Sequence, residues 1–384
     1  MRVCLVASSF YPATFYGGPI SATWDLSREM AKKEIDVYVS TTNANGHSRL
    51  QVDINRFTQK RENLFIKYYH EEIINSFSSS FIFGIWFDIK KADVVYIQYL
   101  FHYTVLFSLL FSLIQCKKIV ISPRGSFSSF TLSNRFPLMK LIWLRLFIKP
   151  FSRFINWQVS SILEEEDVKR ELRHARVEII NDGVDFRSFQ NSRRFEKKQL
   201  LEKYVNRSFN NISDIFFSMG RLHLIKRFDV LIDAFSLFVK EDHNAKLIIA
   251  GGDDGIAGDL QQQIINLRLQ DSVFLIGAVA FEDKKILLNN CDYFALASDF
   301  ESFGIVILEA LSCGKPIVLS NKTPWRDLEL NKCGILVNND KNSICNAFSS
   351  IRVKKYDANL IKEYANSHYD WSIIVDRFLD SIKR

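Results

Sequence analysis

The chain has 384 residues, of which 47% are hydrophobic and 24% are charged, a composition that predicts a folded protein of two domains and argues against disorder. Its 50 Lys and Arg against 43 Asp and Glu give a formal net charge of +7, which suits an anionic partner such as a nucleotide or a membrane surface. Nucleic acid is a disfavoured partner because no binding motif or Lys/Arg block is present. The six cysteines show no CxxC or Cys/His metal spacing, which favours a reducing compartment.

The start of the chain and its apolar runs bear on its placement at membranes. The first residues, MRVCLVASSF, predict a strand and show no signal-peptide cleavage site. The longest uninterrupted apolar run, residues 103–114, is too short to span a bilayer, which needs about 20 residues. We therefore expect a cytoplasmic protein that is soluble, or peripheral on the inner face of the cytoplasmic membrane.

The first half of the chain alternates apolar strands with helices. This pattern is typical of a parallel sheet that is covered on both faces. Strands are predicted at residues 2–7, 35–41, 93–99 and 118–123, with a helix at 21–33.

Polar residues and glycines follow three of these strands. Gly17 and Gly18 precede the first helix, where they could approach a phosphate or sugar, or form a plain turn. His102 stands where a general base could act, although a single histidine is more often structural. Arg124, in SPRG, is expected to face a cleft between the domains.

Residues 134–157 contain five basic residues and no acid. At 100° per residue, a helix here would place its aromatic residues on one side and three cations on the other. Such a helix could lie in a membrane interface or could be an ordinary helix that packs its aromatic residues inward. The aromatic residues are Trp143, Phe147, Phe151 and Phe154, and the cations are Arg145, Lys149 and Arg153.

The second half repeats the alternation and predicts a second doubly wound parallel sheet. The junction between the halves falls at residues 176–189, where NDG marks a turn. Ligands of open α/β sheets bind at the carboxyl ends of the strands, so we expect a site in a cleft between two domains. Strands are predicted at residues 214–220, 245–252, 273–277, 293–298 and 315–320, with helices at 228–240, 259–269, 284–290 and from about 303.

Two cations follow the first of these strands. Arg221 and Lys226 come after Gly220 and before a helix that begins near Arg227. Cations at the carboxyl end of a strand, beside a helix N-terminus, favour an anion site. The alternative is a solvated basic loop.

Acidic pairs in this half do not form a convincing metal site. Asp253 and Asp254 lie in a loop after Gly251, which would let a ligand approach the backbone, and DFE at 299–301 imitates a metal motif. No His or third acid accompanies either pair, so we expect neither a metal nor a cofactor.

Two further acids lie near one apolar helix. Glu301 precedes the helix and Glu309 lies inside it, where an unpaired carboxylate would cost several kcal/mol. The two carboxylates could accept hydrogen bonds from hydroxyl groups of one long ligand. Alternatively, Glu309 forms a structural salt bridge and Glu301 caps the helix.

These segments together resemble the retaining GT-B glycosyltransferases of the large family (family four) that builds bacterial surface polysaccharides and glycolipids. GRLHLIKRFDVLIDAF is similar to the family's GRxxxxKGxDxLIxAF, and ESFGIVILEALSCGKPIV carries its E-x7-E signature. IINDGVD resembles the interdomain IPNGVD, and YDWSIIVDRF resembles the terminal tryptophan-containing helix. The resemblance implies an α/β fold with two Rossmann-like domains: an acceptor domain at 1–182, a donor domain at 183–365, and a C-terminal helix at 366–384 that returns to the first domain.

The resemblance also implies residue roles. Arg221 and Lys226 would neutralise the donor diphosphate, Glu309 would bind the ribose, and Glu301 would contact the transferred sugar. The remaining donor contacts would involve glycines and backbone groups, at Gly17, Gly18, Gly220, Gly251, Gly277, Val279, Phe303, Gly304 and Ile305.

The sequence departs from the family pattern at two positions. Arg124 stands where many members have a histidine (PHG), which leaves the catalytic contributions of Arg124 and His102 open. Arg227 stands where the family usually has glycine.

The expected reaction is metal-independent transfer of a hexosyl unit from a UDP- or GDP-sugar, with retention, to a lipid-linked saccharide. Such acceptors serve the synthesis of O-antigen, capsule or exopolysaccharide. A related GT-B enzyme acting on a small soluble acceptor, or a non-catalytic sugar-nucleotide-binding subunit, remains an alternative. An NAD-linked oxidoreductase is disfavoured because GxGxxG is missing after the first strand.

Overall fold

A computed structural model describes residues 1–13, 17–73, 77–190 and 192–383. The chain divides into two compact units, which are Met1–Gly183 together with Trp371–Arg384, and Val184–Asp370. Each unit contains a largely parallel sheet with helices on its faces, which confirms the predicted α/β fold class. Among the described residues, no helix combines the length and apolar character needed to cross a membrane.

The first unit is built on an eight-stranded sheet, counted over the described residues. Its strands are β1 (Arg2–Val6), β2 (Asp36–Thr42), β5 (Thr58–Arg61), β6 (Leu64–Tyr69), β7 (Val94–Gln98), β8 (Lys118–Ser122), β9 (Ile155–Val159) and β10 (Arg176–Ile179), with a separate hairpin of β3 (Ala44–Asn45) and β4 (Ser48–Arg49). The spatial order is β10-β9-β8-β7-β1-β2-β6-β5, and β5 alone pairs antiparallel within this sheet. The central strand β7 is buried at every residue because both faces of the sheet are covered.

The helices of the first unit include the last helix of the chain. They are α1 (Gly18–Lys32), α2 (Ser79–Lys90), α3 (Tyr103–Ile114), α4 (Ser129–Ser133), α5 (Pro137–Trp143), α6 (Ile162–Glu171) and α15 (Trp371–Lys383). The helix α15 joins this unit through an ion pair between Lys33 and Asp376 (2.6 Å) and through Phe378, whose ring lies 4.9 Å from that of Tyr96.

The helix considered over residues 134–157 is interrupted, as Pro150 made possible. The helix α5 runs into a π-helical turn at Leu144–Ile148 and then a 3-10 helix at Lys149–Phe154. Trp157 is buried in the strand β9 rather than lying on a helix. Pro150 stands at the start of the 3-10 helix, where its missing N–H costs least.

The second unit has a six-stranded parallel sheet, again over the described residues, in the order β13-β12-β11-β14-β15-β16. Its strands are β11 (Ile215–Met219), β12 (Lys246–Ala250), β13 (Val273–Leu275), β14 (Tyr293–Leu296), β15 (Ile317–Ser320) and β16 (Gly334–Val337). Its helices are α7 (Phe186–Gln190), α8 (Lys197–Val205), α9 (Phe228–Phe238), α10 (Ala257–Asn266), α11 (Phe281–Asn290), α12 (Ile305–Ser312), α13 (Lys341–Val353) and α14 (Ala358–Tyr369). Two apolar clusters form its core.

Candidate functional site

The loops that follow β11, β12 and β14 are joined by backbone hydrogen bonds at the carboxyl edge of the second sheet. The N–H of Leu222 donates to the carbonyl of Gly252 (2.8 Å), and the N–H of Asp299 donates to the carbonyl of Ile225 (2.8 Å). Parallel strands bring their carboxyl ends to one edge, so the loops that carry Arg221, Lys226 and Glu301 are neighbours. The structure therefore brings these three predicted residues into one region of the second unit.

Lys226 and Glu301 form an ion pair at the centre of this region. The Nζ of Lys226 lies 2.5 Å from Oε1 of Glu301, and the two side chains are only 16% and 11% exposed. The hydroxyl of Ser298 donates a second hydrogen bond to the same carboxylate oxygen (2.7 Å). The cation and the acid to which the resemblance gives different parts of one ligand thus neutralise each other.

The ends of β11 and β12 meet through glycines. A side chain at Gly251 would place its Cβ 1.7 Å from the carbonyl oxygen of Gly220, so no other residue fits there. Gly220 in turn lies beside the aliphatic stem of Lys226. Gly277 follows β13 with an exposed backbone, and Val279 is half-buried.

Arg221 forms a more exposed ion pair. Its Nη1 lies 2.5 Å from Oδ2 of Asp254. The neighbouring Asp253 accepts hydrogen bonds from the backbone N–H groups of residues 255–257, which lowers the pKa of its carboxyl. Both aspartates therefore have partners, Asp254 in the loop after β11 and Asp253 in its own loop. The described residues contain no cluster of three or more His, Cys, Asp or Glu that could hold a metal.

Arg227 connects the Lys226 loop to the Glu301 loop. It adopts a left-handed backbone (φ 50°), and its guanidinium binds Asp229 (3.1 Å) and Asp299 (3.1 Å). Asp299 also accepts from the Nζ of Lys322 (2.6 Å). Partial burial acts to raise the pKa of Asp299, but its hydrogen bonds, led by that of Lys322, outweigh burial and lower the pKa. Asp299, which belongs to the DFE sequence that resembles a metal motif, is thus paired with Arg227 and Lys322.

Glu309 pairs with a residue that sequence reasoning missed. The ammonium of Lys284, on α11, contacts Oε1 of Glu309, and the two side chains are 12% and 8% exposed. Lys284 also lies over the ring of Phe281 (5.0 Å to the centroid). No local spacing rule links residues on two different helices, so the printed sequence carries no signal for this pair.

The helix α12 begins next to Glu301 without a side-chain cap. Its N-cap is Gly304, whose φ of 86° and close approach to Ile307 exclude a side chain without rearrangement. Phe303 is buried against Trp325, whose Nε1 donates to the carbonyl of Phe303 (2.7 Å). Phe303 and Gly304 can therefore serve a ligand only through backbone groups, and Ile305 opens the helix with a half-buried side chain.

The glycine loop of the first unit is only partly described. Gly17 is the N-cap of α1, with φ 74° and open space where a side chain would stand, and Gly18 is the first residue of α1. Residues 14–16 of the same predicted loop lie outside the described residues. The predicted phosphate contact of these glycines stays a prediction.

His102 caps the helix α3. Its Nδ1 accepts from the N–H of Thr104 (3.4 Å) and lies 2.9 Å from the hydroxyl of that residue. Burial lowers the pKa of His102 to about 4, so the imidazole is neutral at pH 7 and is a weak base. The structure gives His102 a capping role, and a catalytic role stays a prediction.

Arg124 does not face solvent, which corrects the expectation that it faces a cleft. Its side chain is 4% exposed and forms a buried ion pair with Asp182, and its Nε donates to Oε1 of Gln98 (3.0 Å). Asp182 belongs to the IINDGVD segment at the end of the first unit. Arg124 therefore ties the loop after β8 to that segment.

Residues 203–364 match the family model described as Glycosyl transferases group 1. The matched region makes up most of the second unit. The residues Lys226, Glu301 and Glu309 all fall within it.

Curated relatives are similar over different shares of the chain. Mannosylfructose-phosphate synthase of Agrobacterium fabrum is 28% identical over 170 residues, which cover 42% of this chain and 36% of the relative. The aligned part thus spans about a third of that protein. GDP-mannose:cellobiosyl-diphosphopolyprenol alpha-mannosyltransferase of Xanthomonas oryzae pv. oryzae is 25% identical over 303 residues, which cover 76% of this chain and 74% of the relative.

A solved structure extends the likeness to the whole chain. Anabaena HepE, in complex with UDP and glucose, superimposes with a TM-score of 0.78 and 18% identity, covering 100% of this chain and 99% of HepE. At that identity the likeness shows the fold alone. The chain has the GT-B fold that its motifs predicted.

Proposed function

We propose that the protein is a glycosyltransferase that moves a hexosyl unit from a UDP- or GDP-sugar to a hydroxyl of a lipid-linked saccharide, with retention and without a metal. The observation that carries the proposal is the Lys226–Glu301 pair beside the uncapped start of α12. A cation, a carboxylate and the N–H groups at the start of a helix are the partners that a diphosphate and a sugar hydroxyl require.

The cations would act on the leaving group. As the glycosidic bond to the diphosphate breaks, negative charge develops on the β-phosphate, and Arg221, Lys226 and the start of α12 would stabilise it. Binding of the diphosphate at Lys226 would release Glu301 from its ion pair. The freed carboxylate would then accept hydrogen bonds from the sugar hydroxyls.

The two glutamates also bear on the stereochemical course. Glu301 and Glu309 are each held by a lysine, which suits hydrogen-bond acceptors better than a nucleophile. Retention itself is what the resemblance implies. Given retention, attack by the acceptor hydroxyl on the same face as the leaving group is favoured over a covalent intermediate.

A lipid-linked acceptor is supported by the relative from Xanthomonas, whose name specifies GDP-mannose and cellobiosyl-diphosphopolyprenol. A UDP-sugar donor is supported by the fold likeness to HepE, solved with UDP and glucose. Together they favour a role in the synthesis of a cell-surface polysaccharide such as O-antigen, capsule or exopolysaccharide.

A small soluble acceptor is the second candidate. The similarity to a mannosylfructose-phosphate synthase favours it, because the name of that relative denotes a sugar phosphate as product. The two candidates differ only in the acceptor and share the donor site.

The test is nucleotide release from UDP- and GDP-hexoses, with a membrane lipid extract or with sugar phosphates as acceptors. We expect release that depends on the lipid extract, persists in EDTA and is lost in Lys226→Ala. The anomeric configuration of the product, determined by NMR, should match that of the donor. Binding of a donor without turnover over the complete panel would instead support a binding subunit.

A further inference from the structure

One surface of the first unit exposes an unusual number of aliphatic side chains. It belongs to residues 134–154, here called the basic–apolar segment. Contiguous exposed apolar surface on a folded domain marks a binding surface or an aggregation hazard. The exposed side chains are Leu138 (69%), Met139 (66%), Leu141 (52%), Ile142 (47%) and Leu146 (56%).

The exposed side chains are not needed for the core. Leu144 and Ile148 of the same segment are fully buried, and Trp143 and Phe151 pack against the core of the first unit. Within the π-helical turn at Leu144–Ile148, Leu144 and Ile148 face inward and Leu146 faces outward. Trp143 and Phe151 thus face inward, whereas Phe136 (71%) and Phe154 (52%) are exposed together with the aliphatic side chains.

Cations surround this aliphatic surface. Arg135, Arg145 and Arg153 are exposed, and none of them forms an ion pair within the residues that the structure describes. Lys149 has one acidic partner, Glu171, at 3.3 Å. The segment itself contains five cations and no acid, so its own charge is positive.

A cationic cavity lies where the segment ends. It has a volume of about 510 Å³ and is lined by Lys118, Ile119, Arg153, Phe154, Asn156 and Arg176. Three of these six residues are cations and none is acidic. The Nζ of Lys118 already donates to the carbonyl of Ile382 (2.6 Å), whereas Arg153 and Arg176 remain available to an anion. A phosphate group fits this chemistry.

We propose that the basic–apolar segment and this cavity form a docking surface for an anionic phospholipid bilayer. The aliphatic side chains enter the boundary between headgroups and acyl chains, and the cations bind lipid phosphates. A bilayer is favoured over a protein because the exposed leucines, isoleucine and methionine belong to a segment whose only charged residues are cations, which matches an anionic lipid surface. The inference goes beyond the proposed transfer reaction, since docking requires neither donor nor acceptor.

The experiment is flotation of the full chain with phosphatidylcholine vesicles, with and without phosphatidylglycerol. We expect binding that needs the anionic lipid and weakens with salt. L141S/I142S/L146S should abolish most binding. R145E/R153E should weaken it by about tenfold or more, since each cation near an anionic surface contributes substantially to the attraction. R176E alone tests the cavity and should weaken binding less.

Matched controls lie on α2 of the same unit. Phe83 and Phe87 are comparably exposed, and Lys90 and Lys91 are exposed cations. F83S/F87S and K90E/K91E should bind vesicles as the wild type does. All variants change exposed side chains, so unchanged circular dichroism spectra should confirm their folding.

Three results would overturn the proposal. The wild type could fail to float with anionic vesicles, or the segment variants could bind as the controls do. In the third result, light scattering shows a dimer that L141S/I142S/L146S dissociates, which would assign the surface to a second copy of the chain. Donor turnover, measured with a soluble acceptor, reports separately on the proposed function.

Discussion

The pair of Lys284 and Glu309 offers the sharpest test of the donor site. Lys284→Met removes the ammonium while keeping an unbranched apolar stem, and leaves the Glu309 carboxylate 92% buried without its partner. Breaking a buried ion pair from one side costs roughly 3–5 kcal/mol. In a unit of this size, that should lower the melting temperature by about 10 °C.

A compensating change separates structure from function. In Lys284→Met/Glu309→Gln the buried charge is gone, so most of the lost stability should return. If Glu309 binds the ribose, donor affinity should stay low in the double variant, because a neutral amide makes a weaker hydrogen bond to the hydroxyls than a carboxylate does. If Glu309 is only structural, affinity should recover together with stability.

The measurements are thermal unfolding and donor binding by calorimetry on the wild type, the two single variants and the double variant. Lys285→Met is the matched control, because Lys285 neighbours Lys284 on α11 and its ion pair is with the exposed Glu282. A loss below about 1 kcal/mol in Lys284→Met, as for a surface pair, would refute the assignment of a buried pair. Full recovery of donor affinity in the double variant would refute the ribose contact.

Three other changes test separate parts of the two units. Lys226→Ala should reduce turnover at least about 100-fold while Lys226→Arg retains part of it, measured as nucleotide release; near wild-type turnover in Lys226→Ala would remove the diphosphate role. The pKa of His102 is lower in the folded protein than in the unfolded chain. Between pH 6.5 and about 4, the unfolded chain therefore binds a proton at this imidazole and the folded chain does not, so the free energy of unfolding falls by roughly 3 kcal/mol. His102→Asn should show an acid-induced loss smaller by about that amount in chemical denaturation, and an unchanged loss would contradict the burial of the ring. Asp182→Asn should destabilise by about 3 kcal/mol because it leaves Arg124 buried without its counter-charge, and Asp182→Asn/Arg124→Gln should recover much of this loss.

The sequence predicted the parallel sheets because strands buried on both faces appear as continuous apolar runs. The resemblance implied that Arg221, Lys226 and Glu301 would contact one donor, and the structure places their loops together because the carboxyl ends of parallel strands meet at one edge. Neither inference depended on packing detail. Both rest on properties that single segments carry by themselves.

Features that arise from packing were not predictable in this way. Lys284 meets Glu309 only because α11 and α12 pack in one core. Arg124 turns inward because its left-handed backbone (φ 52°) and the acid at 182 hold it there.

The helical projection of residues 134–157 does not describe the whole segment, for a geometric reason. A projection at 100° per residue assumes an unbroken α-helix. The π-helical turn at Leu144–Ile148 shifts the phase of all later side chains, and the strand β9 then takes the final residues.

Under the proposed function, the paired charges of the second unit also determine the order in which they engage a donor. The Arg221–Asp254 pair is mostly exposed, and exposed pairs contribute at most about 1 kcal/mol, so a diphosphate can displace Asp254 at little cost. The Lys226–Glu301 pair is largely buried, so it opens only when a phosphate replaces the carboxylate at the lysine and sugar hydroxyls satisfy the freed acid. A nucleotide without its sugar supplies only the first of these replacements. The buried pair would therefore favour the complete sugar nucleotide over the free nucleotide product.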